Sequence, residues 1–232
     1  MRNADDPMRP QEVGCFARAL RVELQRILTW DLLQGPAPPQ LLDQAHVVLM
    51  GGSGHYSVTS QEPWLKRLLP FLAELATSGK PLFASCWGFQ ALARALGGRV
   101  ERRPQQAEVG TLPLELTEAG RRDELFGRLP NPFLGQMGHE DCVVELPPGA
   151  VWLARTQRNP YQAYRLEGLP VVCTQFHPEL NRRELLDRVY NYPEYVYRIA
   201  GMELDEFAAR CADTPEAERL LRDFVTTVLE KR

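Results

Sequence analysis

Cys86 lies in the segment Ala84-Ser85-Cys86-Trp87-Gly88-Phe89-Gln90, between an apolar run at residues 81–85 and a helix-forming stretch from Gly88 to Leu96. Small residues two before and two after the cysteine allow a tight strand-to-helix turn. Such an elbow exposes the thiol, while the helix N-terminus favours a thiolate and aims backbone N–H groups at a developing oxyanion. A second segment supplies what a cysteine nucleophile lacks. In Gln175-Phe176-His177-Pro178-Glu179 the histidine and the glutamate are two residues apart, so in extended geometry both side chains leave one face. The link is stiffened by Pro178. A thiol needs a base, and that base needs a carboxylate on its other ring nitrogen to fix tautomer and orientation. Together the two segments spell covalent acyl-transfer chemistry.

These groups must be carried by strands that end at one edge of a sheet. His46-Val47-Val48-Leu49-Met50 is a short apolar run stopped by Gly51-Gly52-Ser53-Gly54, which suits a buried parallel strand feeding a loop at its C-terminal end. Trp64, Leu65, Leu68, Leu72 and Ala76 form an amphipathic stripe with Pro63 in the first turn and Gly79 past the end. The spacing of Val13, Phe16, Ala17 and Leu20 predicts an earlier helix, and Gln34 to Pro39 reads as a loop. The alternation is that of a doubly wound α/β sheet. From Val109 the pattern changes to short strands, at residues 110–116, 142–146, 151–154, 161–166 and 171–176, some of them paired as hairpins. After Pro178 the chain turns helical, with Thr214-Pro215 as a cap and first turn ahead of a stripe at Leu221, Phe224, Val225 and Val228. Nothing apolar precedes the first helix. Either Met1-Arg2 is the stub of a strand, or the sheet is one strand short.

The expected architecture is a three-layer α/β/α domain with a central, mostly parallel sheet over residues 1–180 and a helical C-terminal extension over 181–232, packed on the same domain. Composition narrows the function. The 232 residues carry a net charge of −3, which offers no field to gather nucleic acid or anionic lipid. Lysine occurs only at positions 66, 80 and 231, none in a context for Schiff-base or phosphate-loop chemistry. The five cysteines show no CxxC spacing and the four histidines no HxxxH or HxH spacing, so neither a metal nor another cofactor is expected. An odd cysteine count suits a reducing compartment. With acidic residues where a signal peptide would be apolar and no membrane-length apolar run, the expectation is a cytoplasmic protein.

The C-x-G-x-Q at Cys86, Gly88 and Gln90, with the H-P-E at His177, Pro178 and Glu179, resembles the two signatures of the class I, or triad, glutamine amidotransferases. The resemblance covers about residues 41–180 and points within that family to the GMP synthase-like stand-alone members. Glu108-Val109-Gly110 and His139-Glu140-Asp141 add to it. It implies a flavodoxin-like sheet and hydrolysis of glutamine through a cysteinyl thioester, with ammonia passed to a synthetase partner. Cys86 would attack the amide, His177 would shuttle the proton and Glu179 would orient His177. Backbone N–H groups of Gly52 and Trp87 would form the oxyanion hole, and Gln90, Gly138 and His139 would hold the glutamine. Ala84 stands where many members have glycine, Ser53 where a proline often follows the Gly-Gly, and Gly138 where GMP synthases have serine. Two other readings use the same residues: a hydrolase or transferase of γ-glutamyl amides, whose exit Trp87, Phe89, His55 and Tyr56 would narrow, and a non-catalytic binding or regulatory subunit that keeps the fold.

Overall fold

In the computed structural model, which describes residues 2–3 and 5–231, the first regular element is α1 (Met8–Leu20). It is followed by α2 (Pro39–Gln44), β1 (Val48–Met50), α3 (Pro63–Thr77), β2 (Leu82–Ser85) and α4 (Trp87–Ala95). Next come β3 (Arg99–Arg102), β4 (Glu108–Leu116), α5 (Glu118–Arg122), β5 (Phe133–His139), β6 (Asp141–Glu145), β7 (Ala150–Arg155), β8 (Ala163–Leu166) and β9 (Val171–Thr174). Last are α6 (Arg182–Asn191), the single turn α7 (Pro193–Tyr195), a π-helical turn at Val196–Ala200, α8 (Leu204–Arg210) and α9 (Pro215–Glu230).

Among the described residues the strands form a seven-stranded sheet in the order β1-β2-β9-β8-β7-β4-β5 and a separate pair, β3 with β6. The large sheet is mixed. β1, β2 and β9 run parallel, and the remaining neighbours are antiparallel. The parallel part is buried on both faces, which is why β2 and β9 are short and almost wholly apolar. Alternation along β2 divides the core: Phe83 faces a cluster with Phe16 of α1 and Phe224 of α9, whereas Leu82 and Ala84 face a cluster with Leu65 of α3 and Leu92 of α4. Helices therefore cover both faces, giving three layers.

β3 and β5 have no counterpart in the sequence expectation. In β5 two glycines, Gly135 and Gly138, interrupt the alternating pattern. Gly135 has a packing reason, since a Cβ there would lie 2.8 Å from Leu114 Cδ1 and 3.3 Å from the Phe176 side chain. As for a strand ahead of α1, Met1 lies outside the described residues and Arg2 belongs to no strand. Arg2 is instead buried in ion pairs with Asp6 and Glu12. β1 has β2 as its neighbour in the sheet and lies at the sheet's end.

The C-terminal helices are anchored by recognisable devices. Asn181 and Glu184 form a reciprocal capping box on α6, the arrangement that satisfies two first-turn donors. Arg18 of α1 donates to Glu184, to Glu218 of α9 and to the Glu179 carbonyl, tying three elements together. Thr214 does occupy the N-cap position of α9, but its hydroxyl makes no capping bond and has no partner among the described residues. Pro215 and the first-turn acids Glu216 and Glu218 carry the N-terminal signal instead. Leu220, Leu221 and Phe224 of α9 pack in the same cluster as Phe83 of β2. Leu221→Ala is accordingly expected to destabilise the whole fold by about 2–5 kcal/mol in a denaturant titration, the range for deleting a fully buried leucine side chain. A loss below about 1 kcal/mol would mean that α9 is peripheral.

Candidate active site

The turn between β2 and α4 places Cys86 at φ 51° and ψ −103°. Among the described residues only Arg21 and Cys86 adopt positive φ without being glycine. Such a conformation costs on the order of 1–3 kcal/mol and persists only where the surroundings over-determine it. Here they do. The Cys86 N–H donates to Thr174 O of β9 at 2.8 Å, and the Gly88 N–H donates to Gly51 O at 3.3 Å. Gly88 must be glycine, because a Cβ would stand 2.7 Å from Met50 Cβ and 3.1 Å from Ala84 Cβ. That same contact shows why Ala84 fits at the elbow: its methyl group packs towards a residue with no side chain.

The strand end after β9 brings in the other two groups. The His177 N–H donates to Gln136 O of β5 at 2.9 Å, fixing the backbone of the H-P-E segment. His177 Nδ1 lies 2.6 Å from Glu179 Oε1. Since a carboxylate can only accept, Nδ1 carries the proton and Nε2 is left for the thiol side. The Cys86 thiol lies beside the His177 ring in one pocket and 3.8 Å from the Gly138 carbonyl. Burial opposes a charged imidazole, yet the Glu179 carboxylate and the Cys86 sulfur outweigh it and hold His177 well above the ordinary histidine value. Burial likewise opposes the Glu179 charge, but His177 and then Arg188 hold its carboxyl below the usual range. The side chains of Cys86, His177 and Glu179 therefore meet as the two sequence segments require.

The other expected site residues fall in different places. Gly52 stands beside the thiol: a Cβ on it would be 3.7 Å from Cys86 Sγ and 2.9 Å from His177 Cε1. Its N–H, however, donates to Glu12 Oε1 at 3.0 Å. Trp87 is the first residue of α4, where backbone N–H groups have no intrahelical acceptor. Its indole is packed in the core and does not wall the site. Gly138 lines the pocket at Cys86, but Gln90 and His139 do not. Gln90 Nε2 is committed to Asp141 O at 2.8 Å and to Gln175 Oε1 at 3.0 Å. His139 is held between the Asp141 carbonyl and Glu108, itself bonded by Thr156, Asn159 and Gln162. Both belong to a buried polar network that fixes β4 against β5 and the strand ends, one step behind the pocket.

The aromatic wall also differs from the expectation. Phe89 is fully buried against Tyr164, while His55 and Tyr56 lie outside the pocket. Tyr192 and Tyr195, from the end of α6 and from α7, close it instead. Tyr195 Oη donates to Gly54 O at 3.0 Å and Tyr192 Oη to Asp6 at 2.5 Å, so this tyrosine clamp ties the C-terminal segment to the glycine loop and to the N-terminal segment. Arg2 and Arg188 line the same pocket. The tyrosines at 190, 192, 195 and 197 were a visible signal of an aromatic surface. Nothing in the sequence marks Arg2, Glu12 or Arg188, because each reaches the site through tertiary contacts. The pocket encloses about 70 Å³. A larger cavity of about 440 Å³ lies beyond Val109, between β4 and the helices around Phe207, and holds no histidine beside its one cysteine, Cys211.

The family description "Glutamine amidotransferase class-I" matches residues 18–190, well over half of the chain and spanning every member of this site except Arg2, Glu12 and the tyrosine clamp. The chain belongs to the class-I glutamine amidotransferases. A GMP synthase of Thermosipho melanesiensis is 32% identical over 178 residues, which are 76% of this chain and 31% of that protein. A glutamine-hydrolysing GMP synthase subunit from Pyrococcus abyssi is 38% identical over 104 residues, 45% of this chain and 53% of its own length. The chain thus spans about a third to a half of these curated relatives. A glutamine amidotransferase from Methylobacillus flagellatus, solved by crystallography, superposes with a TM-score of 0.72 at 20% identity, over 94% of this chain and 88% of that one. At that identity the likeness is one of fold. No helix among the described residues is long and apolar enough to cross a membrane.

Two outcomes test the site. Burial pushes the thiols of Cys15, Cys142 and Cys173 up to about 12 and raises Cys211 as well, so brief alkylation at neutral pH followed by peptide mapping is expected to find Cys86 labelled first. Earlier labelling of another cysteine would count against the elbow. The His177–Glu179 pair should also appear in the pH dependence of stability. A histidine raised from 6.5 to about 10 contributes in full below its unfolded value and loses that contribution as pH climbs towards 10. A depressed glutamate contributes above its ordinary 4.5 and loses it as pH falls below. Denaturation of the wild type and Glu179→Gln from pH 4 to pH 10 should therefore show the largest wild-type advantage between about 4.5 and 6.5, shrinking on both sides. An advantage that grows steadily with pH would contradict the pairing.

Proposed function

We propose that the chain hydrolyses the side-chain amide of glutamine through a thioester on Cys86, releasing ammonia and then glutamate. The observation that carries the reading is the placement of the Cys86 thiol in one pocket beside a histidine whose Nδ1 is bonded to the buried Glu179 at 2.6 Å. In this mechanism the Cys86 thiol gives its proton to His177 Nε2 as its sulfur attacks the amide carbon, and the carbonyl oxygen takes the negative charge. His177 Nε2–H gives its proton to the leaving nitrogen, the C–N bond breaks and ammonia departs. The neutral His177 then takes a proton from water, whose oxygen attacks the thioester; the C–S bond breaks, His177 returns that proton to the sulfur, and glutamate leaves the restored thiol. Glu179 keeps its proton inventory unchanged and orients the ring. The Trp87 and Gly52 N–H groups are the proposed oxyanion donors, each of which can be worth about 10²–10³ in kcat. Gly138 is the proposed contact for bound glutamine within the pocket, and Gln90 and His139 support that wall from behind.

The names of the relatives, a GMP synthase and a GMP synthase subunit, support an ammonia-accepting synthetase as partner. Residues 181–232 are read as an extension of the same domain, since Tyr192 and Tyr195 form part of the pocket wall. The tyrosine clamp also favours ammonia over a bulky amine as the leaving group. Glutamine is expected to have a kcat/KM at least about tenfold above that of a γ-glutamyl anilide, the order that applies when a leaving group must displace packed side chains. Competition kinetics checks this, and Cys86→Ala is expected to abolish turnover of both. Preference for the anilide would move the assignment to a γ-glutamyl hydrolase, and full activity in His177→Ala would overturn the mechanism.

A further inference from the structure

One backbone donor near the thiol has two claimants. In the proposed reaction the Gly52 N–H must bond the tetrahedral oxyanion, yet in this structure it donates to the Glu12 carboxylate at 3.0 Å. One N–H cannot serve both anions in full, and a carboxylate is the stronger acceptor of a resting site. Glu12 comes from α1, outside every motif of the family signature, and its approach is tight. A Cβ on Gly51 would lie 2.6 Å from Glu12 Oε1, so the glycine loop is shaped to admit this carboxylate.

The surroundings offer Glu12 another place. Its Oε2 accepts from Arg2 Nε at 3.1 Å. On the other side Arg188 Nη2 stands 4.0 Å from Glu12 Oε1, too far for a hydrogen bond. That Nη2 is buried and has no hydrogen-bond partner among the described residues. Arg188 is otherwise held by Gln11 through Nε and lies 3.9 Å from Glu179 through Nη1. A shift of Glu12 Oε1 by about an ångström towards Arg188 would bring it within bonding distance of Nη2 and release the Gly52 N–H. One hydrogen bond is exchanged for another, without moving any charge out of the arginine pair.

We propose that Glu12 is a positioning residue that holds the oxyanion loop in a resting state, and that it passes from Gly52 to Arg188 when the tetrahedral intermediate forms. The inference rests on the reading of Cys86, His177 and Glu179 as an amide hydrolase. Glu12 touches neither substrate nor thiol; it acts through the Gly52 N–H. Its removal therefore raises kcat and leaves KM nearly unchanged, because the competition concerns a donor needed in the transition state and not in substrate binding.

The test is steady-state glutamine hydrolysis by the wild type, Glu12→Gln and Glu12→Asp, with the glutamine chloroketone analogue used to label Cys86 in each. Glu12→Gln weakens the competing acceptor by removing its charge. Glu12→Asp keeps the charge between the two arginines but withdraws it by one methylene, and so keeps the test open if the glutamine variant fails to fold. Both variants are expected to raise kcat by at least about fivefold with KM within about twofold, a fraction of what one full oxyanion donor supplies. An active wild type with kcat unchanged or lower in a folded variant would overturn the role of Glu12 while sparing the hydrolase reading. A wild type that neither hydrolyses glutamine nor takes the chloroketone on Cys86 would overturn that reading, and this inference with it.

Discussion

The left-handed backbone at Cys86 is the constraint around which the rest of the structure is arranged. A non-glycine residue stays there only if its neighbours leave no alternative, and three independent contacts remove the alternatives. β9 accepts the Cys86 N–H, the loop after β1 accepts the Gly88 N–H, and Met50 packs where a Gly88 side chain would be. Each contact comes from a parallel strand or from the loop at its end. The parallel part of the sheet therefore does more than fill the core: it brings three strand ends to one edge and stores strain at the single residue whose side chain has to be presented. The antiparallel part serves the same edge from the other side, because β5 accepts the His177 N–H.

Charge at this edge is organised as a chain of alternating signs. His177 meets Glu179, Glu179 faces Arg188, Arg188 faces Glu12, and Glu12 pairs with Arg2, which pairs with Asp6. Most of these groups are nearly excluded from water, where an isolated charge would be very costly and a paired, hydrogen-bonded one is tolerated. Such a chain fixes geometry more than it adds stability. It joins His177 to the loop that carries the proposed oxyanion donor, and it runs through α1 and α6, elements with no motif of their own. The second polar cluster, around Glu108 and His139, is closed on itself. Burial opposes the Glu108 charge, but the bonds from His139, Thr156 and Asn159 hold its carboxyl below the usual range. It satisfies the Glu108 carboxylate, leaves Asn159 Oδ1 and Gln162 Oε1 without a partner among the described residues, and makes the pocket wall rigid.

The family signatures could be read from the chain because local chemistry dictates them. A tight strand-to-helix turn needs small residues at fixed offsets from Cys86, and a histidine and carboxylate on one face of an extended segment need a spacing of two, as at His177 and Glu179. Apolar runs at Val47–Met50, Leu82–Ser85 and Val171–Thr174 likewise announced buried strands, since a strand covered on both faces has no polar side to alternate with. The α9 stripe was visible for the complementary reason, a helix covered on one face only. β5 escaped because Gly135 answers to Leu114 and Phe176 on neighbouring elements and not to any local rule.

What tertiary structure alone decided was which groups share the pocket and which merely support it. Gln90 belongs to the C-x-G-x-Q motif yet turns to Asp141 and Gln175, while Tyr195, from a segment with no signature, caps the glycine loop. Glu12 and Gly52 are 40 residues apart, and the ion pair that links Arg188 to Glu12 joins opposite ends of the chain. Sequence determines the elements and the reactive side chains because backbone propensity and periodicity act over a few residues. It does not determine the acceptor of one N–H, because that depends on how α1 and α6 pack against the sheet, and packing sums contacts from the whole chain.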